Sequence, residues 1–262
     1  MGQVMDNLKL MKNVRDLESP QTLLELIAGM EQHMALYQSG TQEIRTKLEI
    51  LQRDARFGEG HNPIDSIKSR IKSPMSIIEK MYRKGFPISL DSMRANLNDV
   101  AGIRVICPFI EDIYTVAQML TRQDDLVVIK EKDYIKNPKP NGYRSYHLVL
   151  QVPVFLSDRK EMVRVEVQLR TIAMDFWASL EHQIHYKTSC EVPDSVVDEL
   201  KQCADIIAQT DERMQQLSKQ IRCFNAQPTS EGGEEAQEHP LGSLISASVV
   251  GMAGGMAGSH ND

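Results

Sequence analysis

Several features that would assign a function at once are missing from this sequence of 262 residues. No apolar run approaches the roughly 18–20 residues that a membrane-spanning helix needs, so we expect no membrane partner. The N-terminal segment lacks the basic start and apolar stretch of a secretory signal, and we expect a cytoplasmic protein. The four cysteines are scattered without a Cys-x-x-Cys pair, which argues against a cysteine zinc site and a disulfide framework.

The usual phosphate-binding loops are also absent, because the sequence has neither Gly-x-x-x-x-Gly-Lys nor Gly-x-Gly-x-x-Gly. His182 and His185 stand three apart without an evident third ligand, so a zinc centre is not favoured. A net charge of −6 argues against nucleic-acid binding over the whole surface. Any nucleotide site must therefore be a local concentration of positive charge.

Composition divides the chain into three parts. Residues 1–19 are interpreted as a flexible leader. Residues 225–262 are interpreted as a disordered tail, because they are rich in Gly, Ser and acidic residues and contain no Lys or Arg. Residues 20–224 are predicted to form a single domain with helical elements at both of its ends.

Hydrophobic periodicity within that domain predicts an α/β fold of the α+β kind. Helical spacing covers 20–57, with a break at Ser39-Gly40, and recurs from Pro74 to Gly85 after the N-cap Ser73. Alternating polar and apolar residues predict a strand at 67–72. Further strands are expected at 100–107, 126–132, 144–152 and 162–170, and further helices at 112–122, 172–187 and 194–224. The result is a mixed sheet of about five strands with flanking helices.

The segment from Lys68 to Lys84 concentrates positive charge, with six cations against one acid. On a strand, Lys68, Arg70 and Lys72 share one face because side chains alternate. The helix that follows presents its free amide groups and the positive end of its dipole. This combination favours a polyphosphate site, and the alternative is an ordinary solvated basic face.

Two carboxylates are candidates for binding a metal ion. Asp99 precedes the apolar strand that carries Arg104, and Glu166 alternates with apolar residues in the strand at 162–170. On neighbouring strands, such a pair can hold Mg²⁺ against phosphate oxygens, or one member can accept a proton from a hydroxyl. The alternatives are a turn cap with an ion pair and an ordinary amphipathic strand.

Residues typical of turns at 137–142 are followed by aromatic and polar residues. The segment 137–142 holds two prolines, two asparagines and one glycine. Tyr143, Ser145 and His147 then share one parity, which favours stacking of a purine and contact with ribose or phosphate. A surface loop followed by a half-buried strand is the alternative.

These segments together resemble the small alarmone synthetases, the single-domain GTP pyrophosphokinases of the RelQ type within the RelA/SpoT synthetase family. The matching blocks are Lys68-Ser-Arg-Ile-Lys-Ser-Pro, Asn98-Asp-Val-Ala-Gly-Ile-Arg, Lys139-Pro-Asn-Gly-Tyr-Arg-Ser-Tyr-His and Val165-Glu-Val-Gln-Leu-Arg-Thr. The resemblance implies a nucleotidyltransferase-like synthetase fold. It also implies transfer of the β,γ-pyrophosphate of ATP to the 3′-hydroxyl of GTP or GDP, which gives (p)ppGpp and AMP.

The resemblance further implies a role for individual residues. Arg70 and Arg104 sandwich adenine, whereas Lys72, Lys80 and Arg83 bind the phosphates of ATP. Asp99 binds the cofactor Mg²⁺, and Glu166 helps to coordinate it or deprotonates the 3′-hydroxyl. Tyr143 stacks on guanine, and Lys139, His147 and Gln168 hold the acceptor. None of the seven histidines is followed by Asp, so we expect synthesis without the hydrolysis that larger relatives perform.

Asp175 is a further candidate for recognition of the acceptor. Its carboxylate can accept from the N1–H and exocyclic amine of guanine, a donor pair that adenine lacks. A helix-dipole role in the first turn of 172–187 is the equal alternative.

Two other functions and one assembly state complete the predictions. A non-catalytic sensor of nucleotides or single-stranded RNA needs neither Asp99 nor Glu166, whereas a polymerase-like nucleotidyltransferase needs both. The apolar stripe at 194–224 predicts self-association, and the resemblance implies a homotetramer with (p)ppGpp regulation. The apolar residues of the helix at 172–187 are interpreted as core: Phe176, Trp177, Leu180 and Ile184.

Overall fold

The computed structural model describes residues 20–57, 61–187 and 193–226 of the chain. The predicted leader and residues 227–262 of the predicted tail lie outside this range. The chain divides into two compact units, 1–221 and 222–262, and the described part of the second is the end of one helix. No helix in the described ranges has a stretch long and apolar enough to cross a membrane.

The described residues form six helices and five strands. The helices are α1 (Pro20–Phe57), α2 (Pro74–Arg83), α3 (Leu90–Asn96), α4 (Ile110–Thr121), α5 (Ile172–Lys187) and α6 (Asp194–Ala226). The strands are β1 (Ser66–Ile71), β2 (Ala101–Cys107), β3 (Val127–Asp133), β4 (Tyr146–Phe155) and β5 (Lys160–Thr171). The predicted fold class is confirmed, and α3 is the one described helix that the sequence analysis missed.

All five strands belong to one mixed sheet in the order β1-β2-β5-β4-β3. β2 and β5 run parallel at its centre, and the other neighbouring pairs are antiparallel. β5 alternates buried Val163, Val165, Val167 and Leu169 with half-exposed polar residues. The sheet therefore has one apolar face and one polar face, as the alternation at 162–170 predicts.

α1 covers the apolar face as one uninterrupted helix, so the predicted break at Ser39-Gly40 is wrong. Ser39 Oγ donates to Ala35 O within the helix. A Cβ atom on Gly40 would lie 2.7 Å from Val163 Cγ1, so glycine there permits a close approach of helix and sheet. The glycine that suggested a helix break in the sequence is a packing residue.

Local signals explain how α2 and α3 begin. Ser73 caps α2 by accepting from Ser76 N at 3.3 Å, as predicted, and Gly85 has a φ of +68° just beyond the helix end. Ser89 caps α3 in the same way, accepting from Ser92 N at 3.2 Å. This second cap was the available signal for α3, which is only seven residues long and carries little periodicity.

The interpretation of α5 as core is correct only for Trp177, which is 5% exposed. Phe176, Leu180 and Ile184 are 58%, 42% and 36% exposed. Together with Ile172 they recur every four residues and form one exposed apolar stripe. Trp177 faces α6 instead, where its Nε1 donates to Leu200 O at 2.9 Å.

Candidate active site

The strand registers align side chains in two rows across the polar face of the sheet. Residues that pair directly across neighbouring strands point to the same face. The first row is Arg70, Gly102, Glu166, Val149 and Lys130. The second row is Lys68, Arg104, Gln168, His147 and Lys132. Residues from all five strands thus meet on one surface.

Two cavities lie over these rows and share the carboxylates Asp99 and Glu166. The β1–β2 cavity, of about 320 Å³, is lined by Lys68, Ser69, Arg70, Lys72, Asp99, Gly102, Ile103, Arg104, Glu166 and Gln168. The β3–β4 cavity, of about 350 Å³, is lined by Lys80, Lys84, Phe86, Asn96, Leu97, Asn98, Asp99, Lys130, Lys132, His147, Val149 and Glu166. A molecule in either cavity can therefore reach both carboxylates.

The floor of the β1–β2 cavity is open between its two arginines. Gly102 pairs with Arg70 and lies two residues from Arg104, on the same face as both. A Cβ atom at Gly102 would meet nothing closer than Arg70 O at 3.7 Å. Burial and, to a smaller extent, the charge of Arg170 lower the pKa of Arg104. The charge of Asp175 acts to raise that pKa. Both arginines line this cavity, so a flat ring bound over Gly102 can contact a guanidinium group.

Asp99 is held by two of the predicted phosphate-binding residues. Its Oδ2 accepts from Lys72 Nζ at 2.9 Å and from Lys80 Nζ at 2.5 Å. Burial acts to raise the pKa of Asp99, but the hydrogen bonds from Lys80 and Lys72 outweigh it and hold that pKa below its ordinary value. The other carboxylate oxygen, Oδ1, is buried and has no hydrogen-bond partner.

Glu166 contacts the residues predicted to hold the acceptor. Its Oε2 accepts from Gln168 Nε2 at 2.8 Å, and its Oε1 lies 3.4 Å from His147 Nδ1. Burial acts to raise the pKa of Glu166, but the hydrogen bond and charge of His147 and the hydrogen bond from Gln168 together outweigh it and hold that pKa below its ordinary value. The negative charge of Asp99 also acts on this pKa, so the two carboxylates are close enough to interact.

Tyr143 precedes β4 and contacts His147 through its hydroxyl, at 2.8 Å from Nε2. Lys139 Nζ lies 4.4 Å from the centroid of the Tyr143 ring. Gly142 has a φ of +85°, and a Cβ atom there would lie 2.5 Å from Ala204 Cβ of α6, which fixes the turn against that helix. Ser145 does not share this site, because it is buried and donates to Leu169 O at 3.1 Å.

Arg170 is a site residue to which the sequence analysis gave no role. It is 5% exposed, and its Nη2 donates to Tyr143 Oη at 2.7 Å and to Gln168 Oε1 at 3.0 Å. The signal for it was parity, because Arg170 alternates with Glu166 and Gln168 along β5.

Asp175 lies against cations in this structure. Its Oδ1 is 3.2 Å from both Arg170 Nη1 and Arg104 Nη1, and its Oδ2 is 3.9 Å from Lys68 Nζ. The residue thus joins the arginine of the β1–β2 cavity to the acceptor residues. Recognition of guanine by Asp175 stays a prediction.

Lys139, Tyr143 and Asp175 line neither cavity, and neither does the predicted phosphate-binding residue Arg83. Arg83 is exposed in the last turn of α2, three residues from Lys80. Lys84, four residues from Lys80, lines the β3–β4 cavity in its place, together with Lys130 and Lys132. The alternation of those two lysines along β3 was the signal for their common face.

The donor set fits a magnesium ion that is bound together with a nucleotide. Among the described residues, no group of three or more His, Cys, Asp or Glu side chains can hold a metal ion. Mg²⁺ commonly binds one or two carboxylates plus substrate phosphates. Asp99 and Glu166 supply such a pair, and the unpartnered buried Oδ1 of Asp99 is the oxygen that a hard cation would take.

The sequence of this chain is similar to that of known proteins. Residues 69–191 match the family described as a region found in RelA / SpoT proteins. The GTP pyrophosphokinase YwaC of Bacillus subtilis is 44% identical over 209 residues, which cover 80% of this chain and 98% of that protein. The GTP pyrophosphokinase YjbM of the same organism is 34% identical over 193 residues, which cover 73% and 90%.

Two solved structures resemble the fold over nearly their whole length. The small alarmone synthetase 2 of Bacillus subtilis has a TM-score of 0.67 and 45% identity, and the match covers 73% of this chain and 98% of that one. The small alarmone synthetase 1 of Bacillus subtilis bound to its product pppGpp has a TM-score of 0.70 and 34% identity, with coverage of 74% and 99%.

Proposed function

Because this chain belongs to the RelA/SpoT family of GTP pyrophosphokinases, we propose that it makes (p)ppGpp from ATP and GTP or GDP on the polar face of its sheet. The resemblance read from the four sequence blocks is confirmed by the family match and by the two relatives. Neither comparison supports the non-catalytic sensor. The observation that carries the proposal is that Asp99 and Glu166 line both cavities at once.

The donor, ATP, occupies the β1–β2 cavity in this proposal. Adenine stacks between Arg70 and Arg104 over the open floor at Gly102, and the phosphates reach Lys72 and Lys80. Both lysines contact Asp99 in the nucleotide-free protein, at 2.9 and 2.5 Å. The phosphates of ATP therefore replace the Asp99 carboxylate as the partner of the two ammonium groups. Both ammonium groups are already in place before the nucleotide arrives.

The acceptor nucleotide lies on the β4 side of Glu166. Tyr143 offers a ring for stacking, and Lys139, His147 and Gln168 offer donors to ribose and phosphate. Lys130 and Lys132 add positive charge to the β3–β4 cavity. The cations on each side of the carboxylates offset the repulsion between two polyphosphate nucleotides.

Asp99 and Glu166 are the residues that would hold Mg²⁺. When bound, the ion would neutralise charge on the transferred phosphoryl groups and orient them. This assignment is supported by the unpartnered Oδ1 of Asp99 and by the position of both side chains between the cavities.

The reaction forms one bond and breaks one. The 3′-oxygen of the acceptor attacks the β-phosphorus of ATP, the bond from that phosphorus to the α,β-bridging oxygen breaks, and AMP leaves. Glu166 accepts the proton of the hydroxyl, since its carboxylate is ionised and touches His147 and Gln168 on the acceptor side. Lys72 and Lys80 stabilise the charge on the donor phosphates.

The test is the fate of label from γ-labelled ATP incubated with GTP and Mg²⁺. The proposal predicts label in guanosine penta- or tetraphosphate and release of one AMP for each labelled product. Label in free pyrophosphate would support the polymerase-like transferase instead, because that reaction transfers the nucleoside monophosphate and releases the β- and γ-phosphates. Nucleotide binding without any transfer would support the sensor.

We also infer self-association, because the α5 stripe leaves Ile172, Phe176, Leu180 and Ile184 exposed in the single chain. The homotetramer and its regulation by (p)ppGpp stay proposals, as does any binding of single-stranded RNA. Light scattering tests the assembly, and the mass of one chain would contradict it.

Because ATP and GTP are nucleotides of the cell interior, the proposed reaction places the protein in the cytoplasm.

A further inference from the structure

Five side chains on the polar face form a closed ring of contacts around the proposed acceptor site. Arg170 contacts Tyr143 at 2.7 Å, Tyr143 contacts His147 at 2.8 Å, and His147 lies 3.4 Å from Glu166. The ring closes through Gln168, whose Nε2 lies 2.8 Å from Glu166 and whose Oε1 lies 3.0 Å from Arg170. Each member of the ring therefore touches two others.

The chemistry of the end members gives this ring a direction. A guanidinium group can only donate, so Tyr143 Oη and Gln168 Oε1 accept from Arg170. An ionised carboxylate can only accept, so Glu166 receives from His147 and Gln168. Two hydrogen-bonded arms thus begin at Arg170 and end at Glu166. One arm runs through the 2.8 Å contact of Tyr143 Oη with His147 Nε2, and His147 Nδ1 faces Glu166.

Arg170 is a buried charged member of this ring. The side chain of Arg170 is 6% exposed, and a buried guanidinium is costly unless it is paired and hydrogen-bonded. Asp175 supplies the pairing charge at 3.2 Å, and Tyr143 and Gln168 take both contacts of Nη2. A flat fork with several fixed donors can make these contacts together, whereas a lysine ammonium cannot reproduce their geometry.

We propose that Arg170 is a positioning residue of the acceptor site, which holds Tyr143 and Gln168 in the orientation that receives the guanine nucleotide. The inference rests on the proposed function. Its hydrogen bonds go to acceptor residues and to Asp175, a partner that it shares with the adenine-side Arg104. Its positive charge also acts on Arg104, and Arg170→Lys retains that charge. Loss of the Arg170 guanidinium group therefore weakens binding of the acceptor and leaves binding of ATP nearly unchanged.

The experiment compares Arg170→Lys, Tyr143→Phe and the double variant in steady-state assays that vary ATP and GTP separately. Tyr143→Phe keeps the ring for stacking and removes only the hydroxyl that Arg170 contacts. We expect each single variant to raise KM for GTP by about tenfold, since a hydrogen bond to a charged group is lost, with KM for ATP within about twofold. Because the contact between Arg170 and Tyr143 is lost in either variant, the double variant should cost less than the sum of the two single variants.

Arg164→Lys is the matched control, because Arg164 lies on the same face of β5 but contacts Arg94 O, Ala95 O and Asn98 Oδ1. It should lower the melting temperature without selectively raising KM for GTP. Calorimetric titration of GTP onto each variant measures the loss of GTP affinity without turnover.

The outcomes separate the inference from the function on which it rests. A parent protein that makes no product overturns the proposed function. An active parent whose Arg170→Lys and Tyr143→Phe variants keep the GTP affinity, or lose ATP and GTP affinity equally, overturns the role of Arg170 alone. If Arg170→Lys fails to fold, Tyr143→Phe and the titration still decide.

Discussion

Valine at position 102 is expected to stabilise the sheet and yet to impair the use of ATP. Gly102 lies in the interior strand β2 with β1 and β5 on either side, and its φ is not in the left-handed region. An added Cβ would meet Arg70 O at 3.7 Å and Glu166 O at 4.0 Å, both ordinary contacts. Valine is favoured over glycine in strands, on a scale that spans about 1 kcal/mol, so folding should not suffer.

Valine at this position is expected to impair the binding of ATP in the β1–β2 cavity. The valine methyl groups would project between Arg70 and Arg104, into the space about 3.5 Å thick that a stacked ring needs. One arginine–ring contact is worth about 0.5–2 kcal/mol, so loss of one raises KM for ATP about 2- to 30-fold and loss of both about 5- to 1,000-fold. KM for GTP should change far less.

The assay is initial velocity with ATP varied at saturating GTP, together with thermal denaturation. Gly102→Ala is the matched control, because one methyl group fits the contact distances and leaves most of the stacking space open. A Gly102→Val protein that melts at or above the parent temperature and uses ATP as well as the parent would refute the placement of adenine between the two arginines.

Two further predictions concern stability. Gly40→Ala brings a methyl group within 2.7 Å of Val163 Cγ1, so it should lower the free energy of unfolding by about 1–3 kcal/mol in urea titrations, with activity per folded molecule unchanged. An unchanged midpoint would contradict the packing role of this glycine. Asp99→Asn should lower the free energy of unfolding near neutral pH by about 1–3 kcal/mol, because Lys72 and Lys80 lose their counter-charge. The folded pKa of Asp99 is lowered, so its stabilisation is complete above the unfolded value near 4 and fades as pH falls through the folded value. A difference between parent and variant that did not shrink as the pH fell below about 4 would contradict this assignment.

Local sequence patterns predicted most of the elements of this fold. The alternation at 67–72 and 162–170, the Ser73-Pro74 start and the long periodic stretches each depend on a few neighbouring residues, and the structure confirms them. Glycine misled the analysis at Gly40, because a packing glycine and a helix-breaking glycine look alike in sequence. The exposure of Phe176 and Leu180 was equally hidden, since an apolar stripe does not reveal what covers it.

The site was predictable residue by residue but not as an arrangement. The family blocks nominated Asp99, Glu166 and the arginines, whereas the parallel pairing that sets Gly102 opposite Glu166 comes from the sheet order. Arg170 went without a role for the same reason. Its function follows from contacts with Tyr143 and Gln168, which only the folded chain brings together.

The most direct test of the account is pyrophosphate transfer by Glu166→Gln, measured beside the affinities for ATP and GTP. Glutamine keeps the size of the side chain and removes the charge that would accept the proton. The account predicts that both nucleotides still bind and that the rate of product formation falls by at least about a hundredfold. A variant that makes (p)ppGpp as fast as the parent would contradict it.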